Sequence, residues 1–430
     1  MDYKKFFSSS IDTLKKSGEY RIFRDIGRLA GSFPTAKFNN QIKKENIIVW
    51  CSNDYLGMGQ HPFVFEAIER TMKEVGAGSG GTRNISGTNR YHIALENEIS
   101  GIHQKESSLV FTSGYVANDA TLSILGSKLK NCVIFSDEKN HASMINGIRN
   151  SKAEKFIFKH NDVKHLESLL KTVNIDRPKI IVFESVYSMD GDFTPIESFV
   201  KLAKKYNALT YLDEVHAVGL YGSHGGGVAQ EQKIMHEIDI INGTLAKAFG
   251  LIGGYISSTK NIVDFVRSYS PGFIFTTSIP PAIAAGAIAS IRYVKDNQQL
   301  RDKLKEKCLL IKEKLLAANI PFLKTFADAW NRHDIDDLMG CMTDDCVFVT
   351  SSGTRFEGLA AVREAFEGVF EPFPDACWGN DIHFVSGDRG VSEWVFRGTD
   401  AEDQTSVEEQ GCDIFRFRGG KILVKDTYLK

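Results

Sequence analysis

Short apolar runs, each closing on polar residues, recur between helical stretches from residue 105 to residue 260. Ser108-Leu109-Val110-Phe111 leads into Thr112-Ser113-Gly114-Tyr115, and Cys132-Val133-Ile134-Phe135 into Ser136-Asp137. Lys179 to Phe183 leads into Glu184-Ser185, and Leu209-Thr210-Tyr211-Leu212 into Asp213-Glu214-Val215-His216. A fifth run, Ile238-Asp239-Ile240-Ile241, leads into Asn242-Gly243-Thr244-Leu245-Ala246-Lys247. Runs this short and apolar suit strands buried on both faces. Between them, stretches such as Val163 to Leu170 space their apolar residues as amphipathic helices do. The alternation predicts an α/β fold, a mostly parallel sheet with helices on both faces. Ligands of such sheets gather outside the carboxyl ends of the strands, where Ser113, Ser136, Ser188, Asp213, His216 and Lys247 fall.

Further along, residues 296 to 318 read as a charged helix with Leu300, Leu304, Leu309, Ile311, Leu315 and Leu316 as its apolar stripe. The texture changes after Asn319-Ile320-Pro321-Phe322, which sets a domain boundary near residue 322. The expected division is an N-terminal segment (1–55), a large domain (56–295), a connecting helix (296–322) and a separate α+β module (323–430). That module reads as helix (326–342), strand (346–351), helix (359–370) and strands at 378–386, 390–399 and 408–426. The last two alternate with period two, and Gly419-Gly420 reads as a hairpin turn.

Charge sharpens the boundary. The formal balance of the whole chain is −2, yet from Leu323 onward 11 basic residues face 21 acidic ones. The lysines before it are spread along helix faces, which argues for solvated surface and against a nucleic-acid partner. Seven cysteines, odd in number and without Cys-x-x-Cys, point to a reducing compartment and away from disulfides or zinc. Residues 1–20 lack an apolar signal core, and the run Ile279 to Ile291 contains Pro280 and Pro281 and is too short for a bilayer. A cytoplasmic protein without a membrane partner is expected.

Lys247 and the Asp213-x-x-His216 pair, each at the end of a strand, suggest a Schiff-base cofactor site. A lysine amine can hold the aldehyde of pyridoxal phosphate, and a carboxylate can keep its pyridine nitrogen protonated. Gly76 to Gly81 looks like a nucleotide loop, but it follows a helical pattern and no Lys-Ser/Thr comes after it. Its glycines are expected to allow close backbone packing. His160 and His165, five residues apart near Asp162, do not make a metal set, and no metal is expected.

Long segments carry a resemblance: Trp50 to Met58, Gly76 to Gly87, Asn140-His141-Ala142-Ser143-Met144, Phe183 to Gly191, Asp213 to Gly219 and Gly243 to Lys247. On these the chain, from Met1 to about Phe322, resembles the α-oxoamine synthase family of fold-type I pyridoxal phosphate enzymes. Thr82-Arg83-Asn84-Ile85 favours the branch that forms 5-aminolevulinate from glycine and succinyl-CoA. The resemblance implies that Lys247 binds the cofactor and moves the substrate proton. It places Asp213 at the pyridine nitrogen, His216 at the phenolic oxygen and His141 over the ring. Ser113, Gly114 and Tyr115 would meet the phosphate, with Ser136, Ser188 and Thr244 as nearby hydroxyls. Thr276 and Thr277 would reach the phosphate of a second subunit, implying a homodimer with shared sites. Arg21, Asn53, Thr82, Asn84 and Lys155, with Ser136, would contact the substrates.

The family normally continues into a small domain carrying a threonine and an arginine for substrate carboxylates, and neither segment follows residue 322. Arg416 is only a superficial echo of that arginine. Residues 323–430 instead resemble SnoaL-like, NTF2-like cones, through Phe326 to Asp334, Phe356-Glu357-Gly358 and Asp413 to Phe417 before Gly419-Gly420-Lys421-Ile422. Asp345, His383, Trp394 and Asp413 are candidates to face the cone's pocket. Two rival expectations stand beside the synthase: a hybrid that binds the cofactor or partly folds without net synthesis, and an oxononanoate- or aminoketobutyrate-type synthase.

Overall fold

The computed structural model describes residues 1–16, 20–39, 44–317 and 320–430, in two compact units, Met1–Leu304 and Lys305–Lys430. The helix Gln298–Ala317 carries the chain across that division. Its Leu300 packs on the first unit's core, whereas Leu309 and Ile311 are exposed. Asn319 and the side chains of Leu315 and Leu316 lie outside the described residues. Among the described residues no helix is long and apolar enough to cross a membrane.

The first unit opens with the helix Tyr3–Lys16, followed by an antiparallel sheet of β1 (Ile26–Arg28), β2 (Thr35–Asn39) and β3 (Lys44–Ile48). Its main sheet holds β4 (Ser107–Phe111), β5 (Val133–Asp137), β6 (Glu154–Phe158), β7 (Lys179–Glu184), β8 (Leu209–Asp213), β9 (Ile240–Thr244) and β10 (Gly254–Ser258). They lie in the order β4-β10-β9-β8-β7-β5-β6. Only β10 runs antiparallel to its neighbours; the others share one direction.

Strand side chains alternate between the two faces, and each face has its own core. Phe135, Ile181, Phe183, Leu212 and Ile241 enter one apolar cluster. Ile134, Ile180, Val182, Tyr211 and Ile240 enter the other. Burial on both sides is what the apolar runs foretold. β6 and β10 were not foretold. β6 is an edge strand with Glu154 and Lys155 exposed, and β10 (Gly-Tyr-Ile-Ser-Ser) buries hydroxyls, Ser257 bonding Ser108 at 2.6 Å.

The second unit is a six-stranded sheet of β11 (Met342–Val349), β12 (Arg355–Glu357), β13 (Cys377–Ser386), β14 (Arg389–Thr399), β15 (Ser406–Arg418) and β16 (Lys421–Leu429). Phe326, Trp330, Phe348, Phe366 and Phe415 form its core. The helix expected over 326–342 is two helices, Ile320–Asn331 and Ile335–Gly340. Asp334 caps the second by accepting from the Asp337 N–H, and His333 turns the chain with φ 54°. The run expected at 408–426 is a hairpin of β15 and β16. Gly419 and Gly420 take φ 59° and 78° between paired Arg418 and Lys421, as a two-residue type I′ turn requires.

Phe366 has no exposed surface, and its ring lies 4.7 Å from Trp330 and 5.1 Å from Phe348. Phe366→Ala is expected to cost the second unit about 3–5 kcal/mol, read as a lower urea midpoint by near-ultraviolet circular dichroism.

Candidate active site

Because β4, β5, β7, β8 and β9 are parallel, their carboxyl ends share one rim, and the candidate site is built there. Asp213 ends β8 almost fully buried. Burying a carboxylate is costly unless donors reach it. Its Oδ2 accepts from Asn118 Nδ2 at 2.7 Å and its Oδ1 from the Val215 N–H at 2.8 Å. Asn118 projects from the helix Gly114–Lys128, and its Oδ1 accepts from the Tyr211 hydroxyl at 2.8 Å.

Lys247 lies three residues beyond β9 and is half-buried. Burial pushes its pKa down, while Asp213 and Glu184 pull it back. His216 is lowered to about 4 by burial, then by Lys247 and His141. Its Nδ1 meets the Tyr55 hydroxyl at 3.0 Å, across 161 residues of sequence. Glu184 ends β7 directly opposite Asp213 in register. Burial raises its pKa far above the carboxylate range, and the Asp213 charge adds to the shift. The Asp213 charge thus bears on Glu184 and Lys247, and Lys247 in turn on His216.

The phosphate candidates lie beside them. Ser113 caps the helix Gly114–Lys128, its Oγ accepting from the Val116 N–H at 3.1 Å, while the N–H groups of Gly114 and Tyr115 take no partner among the described residues. A Cβ on Gly114 would meet Thr244 Cβ at 3.4 Å and Val215 Cγ2 at 3.6 Å, so the helix start abuts the loops bearing Asp213 and Lys247. A Cβ at residue 254 would collide with the Gly114 nitrogen, and only glycine leaves that spot open. Thr244 Oγ1 donates to the Gly253 carbonyl at 3.0 Å. An amine, a fixed carboxylate and free N–H groups at a helix start fit the aldehyde, ring nitrogen and phosphate of pyridoxal phosphate.

His141 is exposed and caps the helix Ala142–Ser151 through Nδ1, which lies 2.7 Å from Ser143 Oγ. Its backbone N–H donates to Glu184 Oε1 at 2.7 Å, and the Tyr115 ring stands edge-on at 6.4 Å. The other expected residues are more scattered. Ser136 is buried in β5, accepting from Asn140 Nδ2 at 2.9 Å. Ser188, Arg21, Asn53, Asn84 and Lys155 are exposed. Thr276 Oγ1 donates to the Gly272 carbonyl at 2.7 Å, and Thr277 bridges to Thr82, whose Oγ1 is buried without a partner. The glycine loop packs here, Ser278 N–H donating to the Gly81 carbonyl at 3.0 Å. His160 lies between Asp137 and Asp192 at 2.9 and 2.7 Å, and no metal-holding group occurs among the described residues.

The sequence reading missed Glu184, Asn118, Ser143 and Tyr55. Glu184 carried a signal as a charged residue closing a strand, and Tyr55 and Ser143 lay inside segments that carry the family resemblance.

The second unit encloses a cavity of about 330 Å³. His383, Ser392, Asp413 and Thr427, opposite one another on four adjacent strands, line it with Trp394. Asp413 accepts from Trp394 Nε1 at 3.0 Å and from Lys425 Nζ at 2.6 Å. Asp345 does not face the cavity. A register shift in β11 turns it outward, where it pairs with Arg418.

Residues 45–327 match the aminotransferase class I and II family, and residues 323–424 match the SnoaL-like domain. The 5-aminolevulinate synthase of Rhizobium meliloti (strain 1021) is 54% identical over 323 residues, 75% of this chain and 80% of that one. That of Rhodobacter capsulatus is 54% identical over 326 residues, with the same coverage. Among solved structures, Sphingomonas wittichii serine palmitoyltransferase is 30% identical with a TM-score of 0.63, covering 70% of this chain and 73% of that one. A high-resolution structure of SPT with PLP is 29% identical with a TM-score of 0.66, covering 76% and 79%.

Glu184 gives the site a pH signature. A carboxyl whose folded pKa is raised stabilises the fold below its unfolded value and loses that contribution as pH rises. His216, lowered in the fold, acts in the opposite sense, losing stability as pH falls from 6.5 through about 4. Glu184→Gln still accepts from the His141 N–H. It is expected to flatten the decline in urea midpoint between about pH 5 and 8; a slope equal to the parent's would count against a buried neutral Glu184.

Proposed function

Because the chain belongs to the aminotransferase class I and II family, in the line of the 5-aminolevulinate synthases, we propose that it condenses glycine with succinyl-CoA, releasing 5-aminolevulinate, CoA and carbon dioxide. The observation that carries the reading is the meeting of Lys247, Asp213 and His216 at one rim of the sheet. Pyridoxal phosphate bound there would supply an aldehyde for amines and a protonated ring that accepts electrons from the reacting carbon.

The chain's own residues do the rest. Lys247, whose pKa burial pushes down, would hold the cofactor and take the α-hydrogen of glycine. Asp213, both of whose oxygens are held by Asn118 and the Val215 N–H, would face the ring nitrogen. His216, steadied by Tyr55, would serve the phenolic oxygen, and His141 would cover the ring. Ser113, Gly114, Tyr115 and Thr244 receive the phosphate, with Ser188 at the margin. Thr276 and Thr277 serve a second subunit, which makes the working unit a homodimer. Arg21, Asn53, Thr82, Asn84, Ser136 and Lys155 form the substrate side, and the compartment is the cytoplasm.

One observation favours a second reading, a chain that binds the cofactor without net synthesis. The match to the Rhizobium relative covers 80% of that protein, and residues 323–424 match an unrelated family instead. A bidentate arginine fixes the geometry of a carboxylate as well as its charge, and the family's clamp for glycine has no counterpart segment here. A colorimetric aminoketone assay on glycine and succinyl-CoA decides between them: turnover supports synthesis, and cofactor absorbance without turnover supports the second reading.

Lys247→Ala is expected to remove the visible absorbance of bound cofactor and to lower turnover by about 10³-fold or more. Asp213→Ala is expected to retain little turnover even with cofactor in excess. Near-normal rates in either variant would exclude this site.

A further inference from the structure

Around Asp213 the direction of each hydrogen bond follows from its neighbour, and the chain of bonds ends on His141. A carboxylate only accepts, so Asn118 turns its NH₂ toward Asp213 Oδ2, at 2.7 Å, and its carbonyl toward the Tyr211 hydroxyl, at 2.8 Å. The second proton of that NH₂ goes to Ser143 Oγ, at 3.0 Å. With its oxygen accepting there, the buried Ser143 hydroxyl has its own proton to give, and His141 Nδ1 lies 2.7 Å away. The backbone N–H of Ser143 points at the same nitrogen, at 3.2 Å. The backbone N–H takes Nδ1 as its acceptor, and the Ser143 hydroxyl, with no other acceptor for its proton, adds to it, which leaves no place there for a proton.

We infer that Asn118 and Ser143 are positioning residues that hold His141 as the neutral imidazole protonated on Nε2. The capping contact consumes the acceptor nitrogen, so the imidazole offers a bound molecule only a donor. Whatever hydrogen-bonds to the His141 imidazole must therefore present an acceptor such as a carboxylate or carbonyl oxygen and not an ammonium group, while its face stays free to cover a ring. This last step rests on the proposed cofactor site, while the tautomer is a property of the chain alone.

The test uses the full-length protein without cofactor, labelled with ¹⁵N in histidine, and long-range ¹H–¹⁵N correlation at pH 7.5. His141→Gln identifies the His141 signals among those of the 11 histidines. The expected pattern is Nδ1 in the unprotonated range and Nε2 in the protonated range. Ser143→Ala should lower the ratio of this tautomer to the other by about tenfold, and Ser143→Cys, which keeps a weak donor, should fall between. A proton on Nδ1 in the parent, or a ratio unmoved in both variants, would overturn the inference. A purely structural Ser143 would change the melting temperature and leave the ratio alone. Titrating the same samples with pyridoxal phosphate separates the two claims: no absorbance change would sink the cofactor site and leave the tautomer standing.

Discussion

One buried carboxylate organises the rim. Asp213 has almost no exposed surface, and its charge is tolerable because Asn118 and the Val215 N–H satisfy both oxygens. Its neighbours adjust to it and to the same burial. Glu184, opposite it in register, is driven toward neutrality, and the Asp213 charge opposes the fall that burial imposes on the Lys247 pKa. A site that sets a held carboxylate beside an acid of raised pKa and an amine of lowered pKa has the perturbed groups that proton transfer uses.

The parallel sheet makes that patch possible. Strands buried on both faces leave their chemistry nowhere to go except their ends, and a shared direction gathers the ends together. Tyr55 joins from the N-terminal segment and Asn118 from a helix, so the site draws on every layer of the unit. The second unit solves a different problem with a different sheet. Its charged row, Asp413 with Lys425, is internal and self-neutralising, whereas its surface carries the acidic excess visible in composition.

Much of this was legible in the sequence because the signal was strong where burial was two-sided. β4, β5, β7, β8 and β9 fall within two or three residues of their apolar runs, and Lys247, Asp213 and His216 stand at their ends as expected. β10 escaped because only Tyr255 and Ile256 of its five residues are apolar, and its buried Ser257 and Ser258 bond to the Ser108 hydroxyl and the Asp239 carbonyl. Asn118 escaped because an asparagine in mid-helix reads as surface until a buried carboxylate appears beside it. The break at His333 was hidden because polar residues on a helix face look alike whether the helix continues or stops. Asp345 was misplaced because a register shift inverts inside and outside, and alternation alone does not reveal one.

The distribution of indole rings has an optical consequence. Trp330, Trp378 and Trp394 all line the cavity of the second unit, while Trp50, the fourth, is 82% exposed in the first. Ultraviolet emission from this chain is therefore a blue-shifted report on the tail plus one water-shifted contribution that unfolding hardly alters. A spectrometer tuned to tryptophan follows the tail and is nearly blind to the rim that bears Lys247.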